Sequence, residues 1–79
     1  MPTLFTFFGL RFYFYANDHL PVHVHVDYQD ATAVIEVLPV VRVVENHGFK
    51  KAVLKKAEGI VRSRQFEILK AWDECFNKK

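Results

Sequence analysis

The chain has few of the residues that mark a cofactor or an enzyme class. Its 79 residues include one cysteine, Cys75. That excludes an intramolecular disulfide and a Cys-x-x-Cys motif, and it fits a reducing compartment, so the cytoplasm is the expected location. Placed among apolar residues of helical spacing, Cys75 reads as a small buried hydrophobe rather than a nucleophile. Only three glycines are present and none forms a glycine-rich phosphate loop. No apolar run reaches the roughly 18 residues of a membrane helix. The apolar opening MPTLFTFFGLRFYFY is interrupted by Arg11 and has neither a basic n-region nor a small-residue cleavage site, so it does not read as a signal peptide. Repeats, low-complexity tracts and linkers are missing too, and the expected organisation is a single domain over residues 1–79.

What the chain does have is bulk. Eight Phe, three Tyr and one Trp supply large, conformationally stiff core material to a chain small enough that folding buries only about 60% of its extended surface. Charge is uneven: residues 1–46 carry two basic and five acidic side chains, and residues 47–79 carry nine basic and four acidic, −3 against +5. Such asymmetry suits an acidic partner, nucleic acid included, and equally a lysine-rich amphipathic helix with no partner at all.

Periodicity divides the chain in the same place. The first half alternates with period two in short runs over residues 4–8, 10–16, 22–27 and 32–38, with Gly9, ANDHLP and YQDA as breaks. Residues 40–44, VVRVV, follow Pro39 and suit a short edge strand. From Phe49 the spacing turns helical, with Asn46 as an N-cap candidate. Phe49, Ala52, Val53, Leu54, Ala57, Ile60 and Val61 share one arc, whereas Phe66, Leu69, Trp72 and Phe76 share an arc turned by about a quarter of a circle. A break near residues 62–64 reconciles the two, with Ser63 available to cap the second helix. The expected fold class is α+β: an antiparallel sheet of three to four strands in the N-terminal half, packed on one or two C-terminal helices.

Three of the four histidines fall in NDHLPVHVHV, residues 17–26. Strand alternation puts His23, His25 and Asp27 on one face and Val22, Val24 and Val26 on the other, so the valines are core. Ile35 and Val37 join them from the next run. Two imidazoles on one strand face suit either of two chemistries. As an acid and base pair, His23 and His25, with His19 from the loop, would flank a phosphate, and Asp18 or Asp27 would orient an imidazole tautomer. As ligands, His19, His23 and His25 would hold a divalent transition metal. The third alternative is that a solvated strand face carries histidine as it carries any polar residue. Lys51, Lys55 and Arg62 form one helical stripe able to hold phosphates. Arg11, Tyr13 and Tyr15 share a strand face that would stack a base, or simply pack as a partly buried aromatic row.

MPT at the start, FFG at residues 7–9, NDH.P.H.HV at 17–26, AVIEV at 33–37 and LKAW at 69–72 together resemble the small bacterial family catalogued as domain of unknown function 4160. The likeness spans nearly the whole chain and is most specific at His19, Pro21, His23 and His25. It departs from the family pattern at Leu20, where a second proline is usual, and at Val24, often aromatic. Pro39 and VVRVV replace a glycine-bearing turn. The resemblance implies a second small protein encoded nearby, in an arrangement similar to toxin and antitoxin pairs. The expected role is therefore as a component of such a complex, with a histidine-bearing sheet face that binds or cleaves RNA and needs no cofactor. The alternatives are a metal-binding protein and a pure interaction module; self-association is a further open partner.

Overall fold

The computed structural model describes residues 3–15 and 18–76. Five strands, β1 (Thr3–Phe7), β2 (Leu10–Tyr13), β3 (His23–Tyr28), β4 (Ala31–Glu36) and β5 (Arg42–His47), precede two helices, α1 (Lys51–Ser63) and α2 (Gln65–Phe76). The sheet is antiparallel throughout and runs in chain order, β1-β2-β3-β4-β5. Every strand pairs with its sequence neighbour, so the two weakest sequence signals also form ladders and the sheet has five strands rather than three to four.

The faces follow the alternation. Leu10, Phe12, Val24, Val26, Ala33 and Ile35 are buried on one side of the sheet, with Phe14, Val22 and Val37 just beyond the strand ends, and Ala57, Val61, Ile68 and Trp72 of the helices complete this core. His23 and His25 alternate with Val24 and Val26 along β3 and therefore project to the opposite face of the sheet, where Trp72 of α2 reaches the ring of His23. β2 ends at Tyr13; the end expected at Ala16 lies outside the described residues. The ladder stops because Tyr15 and Asp18 bond to each other: the Tyr15 amide donates to Asp18 Oδ2 at 2.8 Å and the Asp18 amide donates to the Tyr15 carbonyl at 3.2 Å.

β5 lies further along the chain than VVRVV suggests, because the bend at Leu38–Val40 delays pairing until Arg42 meets Glu36. Asn46 consequently belongs to β5, opposite Ala33. It does not cap α1: its Oδ1 accepts from the Phe49 amide at 2.9 Å and its Nδ2 donates to the Phe49 carbonyl, closing a turn before the helix. Lys50 stands at the N-cap without a side-chain cap bond. Within that turn Gly48 has φ +100°, and an added Cβ would sit 3.4 Å from Ala31 Cα. Gly48→Ala is expected to destabilise the protein by about 1–2 kcal/mol, read as a lowered urea midpoint with an unchanged m-value.

The helical break falls where the apolar phase changes. α1 ends at Ser63, the Arg64 amide donates to the carbonyls of Ile60 and Val61, and α2 begins at Gln65. Ser63 Oγ donates to the Ile60 carbonyl, so it closes α1 instead of capping α2. The phase of α2 differs from the expected one. Ile68 and Trp72 are its buried residues, and Phe66 is 81% exposed. Phe66 stands at one extreme of the apolar arc and Ile68 at the other, and docking selects Ile68. Gln65 Nε2 helps to set that rotation by donating to the Val37 carbonyl at 3.0 Å. Cys75 is exposed, not buried.

Candidate functional site

β3 presents His23 and His25 side by side, their ring centroids 5.2 Å apart. The turn that ends β2 brings Asp18 over them. Asp18 Oδ2 is held by the Tyr15 amide, which leaves Oδ1 to face the imidazoles, 3.2 Å from Nε2 of His23 and 3.2 Å from Nε2 of His25. One ligand atom from each of the three residues lies within 4.8 Å of the others. The side chains of His23, His25 and Asp18 are only 17%, 12% and 7% exposed. The histidine face expected to lie open is therefore largely covered, by the Asp18 loop and by aromatic rings. Tyr13, paired with His25 across the ladder, stacks on its ring at 5.4 Å and 23°; Tyr15 approaches it at 4.1 Å, and Trp72 lies 5.6 Å from His23.

Protonation can be read from the partners. His23 Nδ1 lies 2.8 Å from the Pro21 carbonyl, which can only accept, so Nδ1 carries a hydrogen. Nε2 is then the ring atom turned toward Asp18 Oδ1. Burial pushes the Asp18 carboxyl up, but the Tyr15 amide, the His25 hydrogen bond and the charges of His25 and His23 outweigh it, and the net result lies below the ordinary carboxylate value. A carboxylate oxygen shared by two imidazole nitrogens at 3.2 Å stabilises positive charge at this point, whether carried by the imidazoles or by a bound cation.

The other sequence candidates are distributed around this cluster. His19 is exposed and bonds through Nδ1 to the Leu20 carbonyl, outside the three-residue group. Asp27 serves a different ring: Tyr13 Oη donates to its Oδ1 at 2.8 Å, and Arg11 lies 3.5 Å from its Oδ2. Burial first, then the hydrogen bonds with Tyr15 and Asp27, drives the Tyr13 phenol far above its usual value, so it stays a neutral donor. Glu36 sits opposite His23 on β4 and was not singled out by the sequence; its carboxylate is occupied by Arg42 at 2.8 Å. Lys51, Lys55 and Arg62 are exposed on α1, which packs on the valine face, so the sheet separates them from the imidazoles. Trp72 could not be assigned to the site from sequence, since helical spacing announces only that it is buried.

Residues 9–73 match the family model described as Domain of unknown function (DUF4160). The chain belongs to this family. The match takes in β2 to β5, α1 and most of α2, and so includes Asp18, His23, His25 and the rings around them. A DUF4160 assignment carries no activity with it, and the site must be argued from its own chemistry. Neither the curated proteins nor the solved structures gave a significant match. No helix among the described residues is long and apolar enough to cross a membrane.

Proposed function

We propose that the chain binds a divalent transition metal through Asp18 Oδ1, His23 Nε2 and His25 Nε2. The observation that carries this is the single carboxylate oxygen standing 3.2 Å from both Nε2 atoms. Metal to ligand bonds of about 2.0–2.1 Å place neighbouring ligand atoms about 2.8–3.0 Å apart in octahedral and about 3.3–3.4 Å apart in tetrahedral geometry, and the two separations of 3.2 Å lie between these values. The Nδ1–H of His23 donated to a backbone carbonyl is the outer partner that metal-bound imidazoles ordinarily have. Two nitrogens and one carboxylate suit zinc, iron, nickel or copper better than magnesium or calcium. Three protein ligands also leave a coordination position for water or a substrate atom.

Metal binding is favoured over acid and base chemistry on RNA for a geometric reason. Proton exchange with a phosphate needs Nε2 atoms that reach the substrate, whereas both here are turned onto Asp18 under a covering loop.

The test is equilibrium dialysis of the purified protein against zinc, with metal read by mass spectrometry. About one ion per chain is expected, with a rise in melting temperature on zinc addition, since a ligand of the native state stabilises it. The double variant His23→Ala, His25→Ala should fold but lose both the ion and the thermal response. Absence of retained metal in the wild type, or equal retention in the double variant, rejects the site. If, in addition, that variant still co-purified with a second small protein, the chain would be an interaction module instead.

A further inference from the structure

A second surface lies on the helical side of the sheet and is independent of the metal site. Its centre is Phe8, at the tip of the β1–β2 hairpin. Phe8 and Gly9 form the two-residue turn between Phe7 and Leu10, with φ +52° and +81°. Left-handed conformation at both positions favours Asn-Gly, and a bulky residue at the first is an outlier. Phe8 is also 78% exposed. The ring is therefore neither suited to its backbone conformation nor rewarded by burial, and strain of that kind points to a use outside folding.

Its surroundings say what the use is. Lys56 Nζ lies 5.2 Å from the centre of the Phe8 ring. Beneath them a cleft of about 230 Å³ is floored by Leu10, Tyr28, Ala52 and Val53, and a second of about 430 Å³, which shares Tyr28 and Val53, continues to Phe49 and Lys50 and has Gln29 and Asp30 in its wall. Along residues 50–63 stand Lys50, Lys51, Lys55, Lys56 and Arg62 against the single acid Glu58, and Glu58 is paired with Arg62. Among the described residues the four lysines form no ion pair with a carboxylate. One cation beside an exposed aromatic ring, a shallow cleft, and further cations around the exposed side of the same helix are the combination that holds a flexible polyanion with flat apolar groups.

We propose that single-stranded nucleic acid binds this surface, one base stacking on Phe8 and entering the adjoining cleft while the phosphates follow the lysines of α1. An acidic protein would satisfy the charges, but single-stranded nucleic acid supplies a flat base with every phosphate, matching a ring and cleft that stand beside cations. Lys51 and Lys55, one helical turn apart, lie about 100–140° around α1 from Lys56 on its exposed side and would hold phosphates that wrap the helix.

Fluorescence anisotropy of the full chain with labelled oligouridylate and oligodeoxythymidylate of roughly 15 nucleotides, at about 50 and 200 mM salt, tests this. Saturable binding to one or both oligomers is expected, weakened about tenfold or more at the higher salt. Phe8→Asn should weaken binding about tenfold or more while leaving the melting temperature unchanged or raised, because Asn accepts the left-handed turn. Lys51→Glu, Lys55→Glu should reduce both affinity and its salt dependence without unfolding an exposed helix face. A preference for RNA over DNA or the reverse identifies the strand and supports the proposal equally. Failure of both oligomers to saturate at the lower salt, wild-type binding by Phe8→Asn, or equal binding of polyglutamate or anionic vesicles overturns it.

Discussion

Trp72→Ala is expected to lose about 3–5 kcal/mol of stability, visible as a large fall in the urea midpoint. Trp72 is 4% exposed and joins three parts of the molecule. Its ring meets Phe14 edge-on at 5.2 Å, Phe76 at 4.4 Å, and His23 at 5.6 Å. Truncation would leave a cavity between α2 and the end of β2 that the surrounding rings are too large and stiff to fill. A domain of this length has a total stability of about 4–12 kcal/mol, so the variant should be close to unfolding. Phe66→Ala, six residues earlier on the outer side of α2, should change stability by no more than about 0.5 kcal/mol. The pair tests the rotation of the helix. Equal effects at the two positions, or an unchanged midpoint for Trp72→Ala, would place the core contact elsewhere.

Asp18→Asn should weaken zinc binding by at least the ~100-fold that loss of an outer-shell partner can reach, because the variant removes the charge of a direct ligand. Metal-free protein should respond as well. The Asp18 carboxyl is depressed in the folded state, so its ionised form binds the folded structure more strongly than the unfolded chain. That contribution is complete above the ordinary carboxylate value of about 4 and disappears as pH falls through the lower folded value. Wild type should therefore be the more stable of the two at neutral pH, and the difference should close in acid. Denaturation midpoints of both proteins from neutral pH down to the acid limit of folding measure it. A gap that widened in acid would mean that the carboxyl is not held in its charged form by the imidazoles, and unaltered zinc affinity would remove Asp18 from the ligand set.

The histidine face was legible from HVHVD because a strand has a period of two, and burial of Val24 and Val26 on one side leaves no choice for His23 and His25. The helical break near Ser63 was legible for the same kind of reason: a straight helix cannot present two apolar arcs of different phase to one sheet. The choice of carboxylate was not. Asp27 lies on the same strand face as the imidazoles and reads from the sequence as an orienting group equal to Asp18. The fold gives Asp27 to Tyr13 and Arg11 across the β2–β3 ladder, and brings Asp18 back over β3 through a turn that Asp18 itself closes with Tyr15.

Local pattern, by itself, determined which residues face inward, where the helices divide and which two imidazoles stand together. Tertiary structure alone decided that five strands pair, that Ile68 rather than Phe66 enters the core, that Trp72 reaches His23, and that Asp18 in place of His19 completes the cluster. The physical reason is the range of the interaction. Alternation and helical phase arise from backbone geometry within a few residues, whereas the position of a side chain over a neighbouring strand depends on ladder register and on how a loop and a helix dock together, and neither is written in any one segment.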